Sequence, residues 1–95
     1  EGILTANVNL NVLGSDPTQN VLAVGFDAGA TIKTAVRDGI MLGAVTQAPM
    51  EMGRVTVETL TKIADNETVS DIATPCYWYH AQNMDEDKIA PNLYD

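Results

Sequence analysis

The run NVLAVGF, residues 20–26, constrains this chain more than any other feature. It is short, almost continuously apolar and valine-rich, so it reads as a strand of the kind a parallel sheet buries on both faces. Its character changes abruptly after Phe26. Asp27, Ala28 and Gly29 follow, and then Ala30 to Asp38 place Ile32, Ala35 and Val36 on one helical face and Lys33 and Arg37 on another. Gly39 is a stop signal, and IMLGAVTQ, Ile40 to Gln47, supplies the next strand, which Pro49 ends.

The same alternation extends along the rest of the chain. GILTA, Gly2 to Ala6, is a short apolar run with a β-branched residue and is expected to be a buried strand. The segment between it and Asn20 holds two helical turns at most, then a Ser-Asp-Pro turn, leaving a tight crossover. Glu51 to Ala64 is the clearest helix: Met52, Val55, Thr59, Leu60 and Ile63 recur near a 3.6 period, and Glu58 with Lys62 forms an i,i+4 pair. DNETVSD is a loop, and IATPCYWYH is a strand interrupted by Pro75. NMDEDKIAPNLYD is expected to form a short tail helix, with Asn83 as its cap and Glu86 three residues on. Alternating strands and helices with parallel-type apolar strands give an α/β, doubly wound parallel sheet. Three or four strands and two good helices leave an edge or face of that sheet in need of a partner.

Length and charge narrow the function. Ninety-five residues make one domain, whose core buries roughly two-thirds of the unfolded surface. Five basic residues stand against thirteen acidic ones, for a net charge of −8, and no basic stripe exists. That argues against nucleic acid or an anionic membrane as a direct partner, and leaves a neutral or cationic small ligand open. No run of 18 apolar residues is present, and EGILTANVNL lacks the basic start of a signal peptide. A single cysteine, Cys76, and a single histidine, His80, make a cysteine-based metal site improbable, and no cofactor is implied.

In open α/β sheets ligands bind beyond the carboxyl ends of the strands. Three polar residues stand at such ends: Asn7 after GILTA, Asp27 after VLAVGF and Gln47 after MLGAVT. Two amides and a carboxylate supply the donors and acceptors that a polyhydroxylated ligand needs. Each also has a structural alternative. Asp27 can cap the helix that starts near Ala30, Asn7 can cap or turn, and Gln47 can simply end a strand. Catalysis finds little support, since YWYHAQ offers no nucleophile beside His80, and Cys76, in an apolar-aromatic run, is expected to be a buried structural thiol. Asp85, Glu86 and Asp87 lack the spacing of a calcium loop and suit a helix N-terminus. Tyr77, Trp78 and Tyr79 alternate faces on a strand, so one or two of them at most could face a ligand.

VLAVGFDAG, a helix, DGIMLGAVTQAPMEMG and a second amphipathic helix together resemble the C-terminal third of the periplasmic sugar-binding proteins of ABC importers. The ribose-binding-like branch of the type I periplasmic binding protein fold is the nearest pattern, and the tail YWYHAQNMDEDKIAPNLYD is similar to members of that group. The resemblance covers the chain from Asn20 onward and, more loosely, the residues before it. It implies two α/β lobes joined by three hinge crossings, with the ligand clamped between them. On that reading residues 1–47 belong to the C-terminal lobe, 48–75 cross to the N-terminal lobe, and 76–95 form the return hinge strand and tail helix. Asp27 matches the strand-end aspartate that bonds sugar hydroxyls, and Gln47 matches a hinge glutamine that also contacts the sugar. Asn7 matches the asparagine of an A-N-D element in which Val8 here replaces the aspartate, and the segment up to Asp27 is shorter than usual.

The implied function is that of a solute-binding component. It binds a neutral sugar or polyol between two lobes and delivers it to a membrane permease, with no enzymatic activity. The chain is then expected to be a fragment or one part of a complex, lacking the other lobe, of an exported periplasmic or membrane-anchored extracellular protein. A transcription regulator of the lac-repressor type, whose effector core shares the fold, is the alternative. An enzyme using Asp27 as a general base is a third class.

Overall fold

The computed structural model describes residues 1–94. Its elements are a helix α1 (Gly2–Leu10), a strand β1 (Val24–Phe26), a helix α2 (Ala30–Arg37), a strand β2 (Gly43–Gln47), a long helix α3 (Pro49–Ala64), a strand β3 (Cys76–Tyr79) and a 3-10 turn (Ala90–Asn92). The three strands form one sheet in the order β1-β2-β3. β1 runs parallel to β2, with Phe26 opposite Val45, while β3 is antiparallel to β2, with Gln47 opposite Cys76 and Ala44 opposite Tyr79. The α/β class holds, with a sheet that is mixed rather than wholly parallel.

The β1-α2-β2 unit forms as its sequence dictates. α2 ends where the sequence places its stop: Gly39 takes φ 77°, its N–H bonds the Val36 carbonyl at 3.2 Å, and Ile40 N–H bonds Ala35 at 2.9 Å. This is a Schellman closure, which needs the left-handed conformation that glycine adopts without steric cost. α2 covers one face of the sheet, where Ala35, Val36 and Met41 join Ala23, Ala44 and Tyr79 in the core.

The other face of β1 is bare. Val24 and Phe26, two residues apart and so on the same side, are more than half exposed. The expectation that NVLAVGF would be buried on both faces therefore fails on one of them. β2 is the central strand, and it is pressed so closely against β3 that a methyl group at Gly43 would lie 2.5 Å from the Tyr79 carbonyl. Only glycine fits there.

Two expectations about the chain ends are corrected. GILTA is not a strand but the start of α1, which buries none of its residues. The tail does not form a helix at Asn83. Residues 81–89 make successive turns, and the Asn83 carboxamide instead accepts the His80 N–H at 2.7 Å and donates to the Trp78 carbonyl at 3.1 Å. α3 matches its expected span and gains Pro49 at its first turn, but no residue on it is buried. Its ion pairs also differ, because Glu58 pairs with Arg54, which holds Glu51 as well.

Candidate functional site

β1 and β2 are adjacent and parallel, so their carboxyl ends open on the same edge of the sheet. Asp27 is the first residue beyond β1. Its N–H continues the ladder by donating to the Val45 carbonyl at 2.7 Å, which sets it level with Thr46 and one residue short of Gln47. Neighbouring strands lie about 4.8 Å apart, so the carboxylate and the carboxamide are within reach of one small molecule. Both side chains are exposed, and among the described residues neither is engaged in a hydrogen bond.

Asp27 does not cap α2. The cap position belongs to Gly29, and Asp27 sits two residues earlier with φ 75°, a left-handed conformation that aspartate tolerates better than most residues but at a cost. Its backbone is held at both ends, by Val45 through the N–H and by Tyr79, whose phenol donates to the Asp27 carbonyl at 2.7 Å. Tyr79 is fully buried. Burial, then the nearby Tyr94 and the Asp27 charge, push its phenol up to about 12.

Beyond Gln47 lies an open groove of about 290 Å³ lined by Gln47, Pro49, Met52 and Tyr94. Next to Gln47 on β2, Thr46 is a buried polar residue whose hydroxyl donates to the Asn92 carbonyl at 2.7 Å and lies 3.0 Å from the Gln47 carbonyl. The arrangement pairs an acceptor-only carboxylate with an amide that both donates and accepts, beside an aromatic ring. Such a set suits hydroxyl groups.

Asn7 is not part of this edge. It lies within α1, where its side-chain oxygen accepts the Val12 and Leu13 amides at 2.8 and 3.0 Å and closes the end of the helix. It also lines a separate groove of about 370 Å³ between α1 and α2, together with Leu4, Thr31 and Asp38. Cys76, expected to be buried, is exposed at the start of β3. His80 lies just past β3, where its Nδ1 accepts the Gln82 N–H at 3.2 Å. Among the described residues no group of three His, Cys, Asp or Glu side chains could hold a metal ion.

Sequence reasoning missed Tyr79, Thr46 and Tyr94. Only Tyr79 carried a signal, as one of three adjacent aromatics of which alternate members had to face inward.

No protein-family model matches the chain, and no curated protein matches it by sequence. Solved structures do. The chain is 35% identical to an "ABC transporter, LacI family transcriptional regulator" from Brachyspira murdochii, over 88% of this chain and 27% of that one, with a TM-score of 0.80. It is 29% identical to an ABC transporter solute-binding protein from Agrobacterium vitis with bound D-fucose, over 98% of this chain and 31% of that one, with a TM-score of 0.83. A second Agrobacterium vitis solute-binding protein, bound with α-D-tagatopyranose, is 19% identical with a TM-score of 0.84 and covers 99% of this chain and 30% of that one; it speaks for the fold alone. The chain therefore spans less than a third of the length of the proteins it matches.

Proposed function

We propose that this chain, which carries the lobe architecture of the sugar-binding proteins of ABC importers, supplies one wall of a cleft that binds a neutral sugar or polyol. The observation that carries the reading is the placing of Asp27 and Gln47 at the carboxyl ends of two adjacent parallel strands, each side chain exposed and, among the described residues, in no hydrogen bond. The carboxylate accepts from sugar hydroxyls, and the carboxamide donates to one and accepts from another. Asn7 stands outside this wall: it lies within α1, and its side-chain oxygen is taken by two backbone amides.

The second wall belongs to another lobe, toward which residues 48–75 cross and from which 76–95 return. α3 supports that division: it buries no residue, and Met50, Val57, Leu60 and Ile63 are more than half exposed along its surface. Closure of the two lobes traps the sugar, and the closed form is recognised by a membrane permease outside the cytoplasm. Binding rather than catalysis is the role, because a carboxylate and an amide beside a tyrosine ring suffice to hold hydroxyls. The lac-repressor-type alternative finds support in the name of the Brachyspira murdochii protein. Upstream sequence separates the two: a secretion signal favours transport and a helix-turn-helix favours regulation.

Calorimetric titration of the complete gene product with D-fucose, D-tagatose, D-arabinose and common polyols tests the reading. Saturable binding that Asp27→Asn and Gln47→Ala both weaken is expected. Absence of binding to every sugar and polyol overturns it.

A further inference from the structure

Asp27 is held in a way its role as a ligand group does not by itself require. Its φ of 75° is unfavourable for any residue with a side chain, so the turn persists only where its surroundings over-determine it. Two bonds do so. The N–H is tied to Val45 on β2, and the carbonyl is tied to the Tyr79 hydroxyl on β3, 52 residues further along the chain. Because β2 lies between β1 and β3, the Tyr79 side chain reaches across the central strand to the end of the outer one. Its ring is wholly enclosed in the core and has no room to point elsewhere. With both backbone groups committed, the Asp27 carboxylate is the one polar group of that residue left to face the cleft.

We propose that Tyr79 is a positioning residue for ligand binding: its hydroxyl, bonded to the Asp27 carbonyl, fixes the left-handed turn that aims the Asp27 carboxylate at the sugar. The inference rests on the sugar-binding reading above. Tyr79 touches no ligand itself and acts through Asp27. It also joins the ligand-bearing end of β1 to β3, the strand on which the chain re-enters the sheet after α3 and its following loop.

The test uses the complete gene product, with D-arabinose, D-fucose and D-tagatose as probes, followed by monodeoxy forms of the sugar bound most tightly. Asp27→Asn defines which hydroxyl Asp27 receives, because the sugar lacking that hydroxyl is the one whose affinity the substitution spares. Tyr79→Phe keeps the ring and removes the bond, and is expected to weaken the parent sugar about tenfold, the equivalent of one typical hydrogen bond. The deciding readout is the pattern. If Tyr79 acts through Asp27, Tyr79→Phe spares the same deoxy sugar that Asp27→Asn spares. A uniform loss across all sugars, or no loss, overturns the inference, since a general loosening of the core cannot single out one hydroxyl. Replacement of Tyr79 by p-aminophenylalanine, a weaker donor of the same shape, is the second variant should the phenylalanine not fold; it is expected to give a smaller loss with the same pattern. Failure of the wild type to bind any sugar, or an Asp27→Asn without effect, overturns the sugar-site reading itself.

Discussion

The Thr46 hydroxyl donates a 2.7 Å hydrogen bond to the carbonyl of Asn92, 46 residues further along the chain, and it does so from a side chain with no exposed surface. That bond pins the 3-10 turn, and with it the neighbouring Tyr94, against the end of β2 beside Gln47. Thr46→Val keeps the shape of the side chain and leaves the carbonyl of the half-buried Asn92 without this partner. A loss of about 1–3 kcal/mol of stability is expected, read as a lower denaturation midpoint with an unchanged denaturant slope.

Asp27 should show opposite responses in stability and in function. In the left-handed region glycine carries no Cβ penalty, whereas alanine keeps that penalty. Asp27→Gly is expected to be at least as stable as the wild type, and Asp27→Ala to fall below the glycine variant by about 1 kcal/mol. Both should lose sugar affinity. Thermal melts alongside ligand titrations check this, and an Asp27→Gly less stable than Asp27→Ala would show that the backbone carries no strain.

Asn7 gives the converse pattern. Its side-chain oxygen closes α1 by accepting two amides, so Asn7→Ala should cost about 1–2 kcal/mol of stability. It lies away from the Asp27 and Gln47 edge, so sugar affinity measured well below the melting temperature should stay within about twofold of the wild type, a difference of under half a kcal/mol.

Tyr79 makes stability depend on pH at the alkaline end. Its folded-state value, pushed up to about 12 chiefly by burial, lies above the ordinary 10.0 of the unfolded chain. Between those values the native state holds a proton that the unfolded state has released, so stability falls as pH rises. The contribution is complete below pH 10 and declines toward pH 12. Urea midpoints followed from pH 8 to 12 should drop through this window in the wild type and less so in Tyr79→Phe, which has no phenol to ionise.

How much of this was legible in the residues differs from element to element. The order β1, α2, β2, α3 was readable, because a six-residue apolar run, an amphipathic octet and a glycine stop are each local signals. The placing of Asp27 and Gln47 followed from it, since the first polar residue after a parallel strand stands at the sheet edge whatever the rest of the chain does. GILTA was misread for a physical reason. A short apolar run has no period of its own, and a strand needs a neighbour to bond whereas a helix bonds within itself. Among the described residues no strand pairs with Gly2–Leu10, and the segment is helical.

Sequence by itself thus determined the succession from β1 to α3, the ends of β1 and β2 and the two polar groups they carry, because all of these depend on residues close together in the chain. Tertiary structure alone decided that Asp27 is a turn residue and not a helix cap, that β3 lies antiparallel beside β2, and that Tyr79 and Thr46 reach Asp27 and Asn92. Those bonds close loops of 52 and 46 residues. Nothing in the local pattern marks their partners, which meet only after the sheet has formed and its core has excluded water.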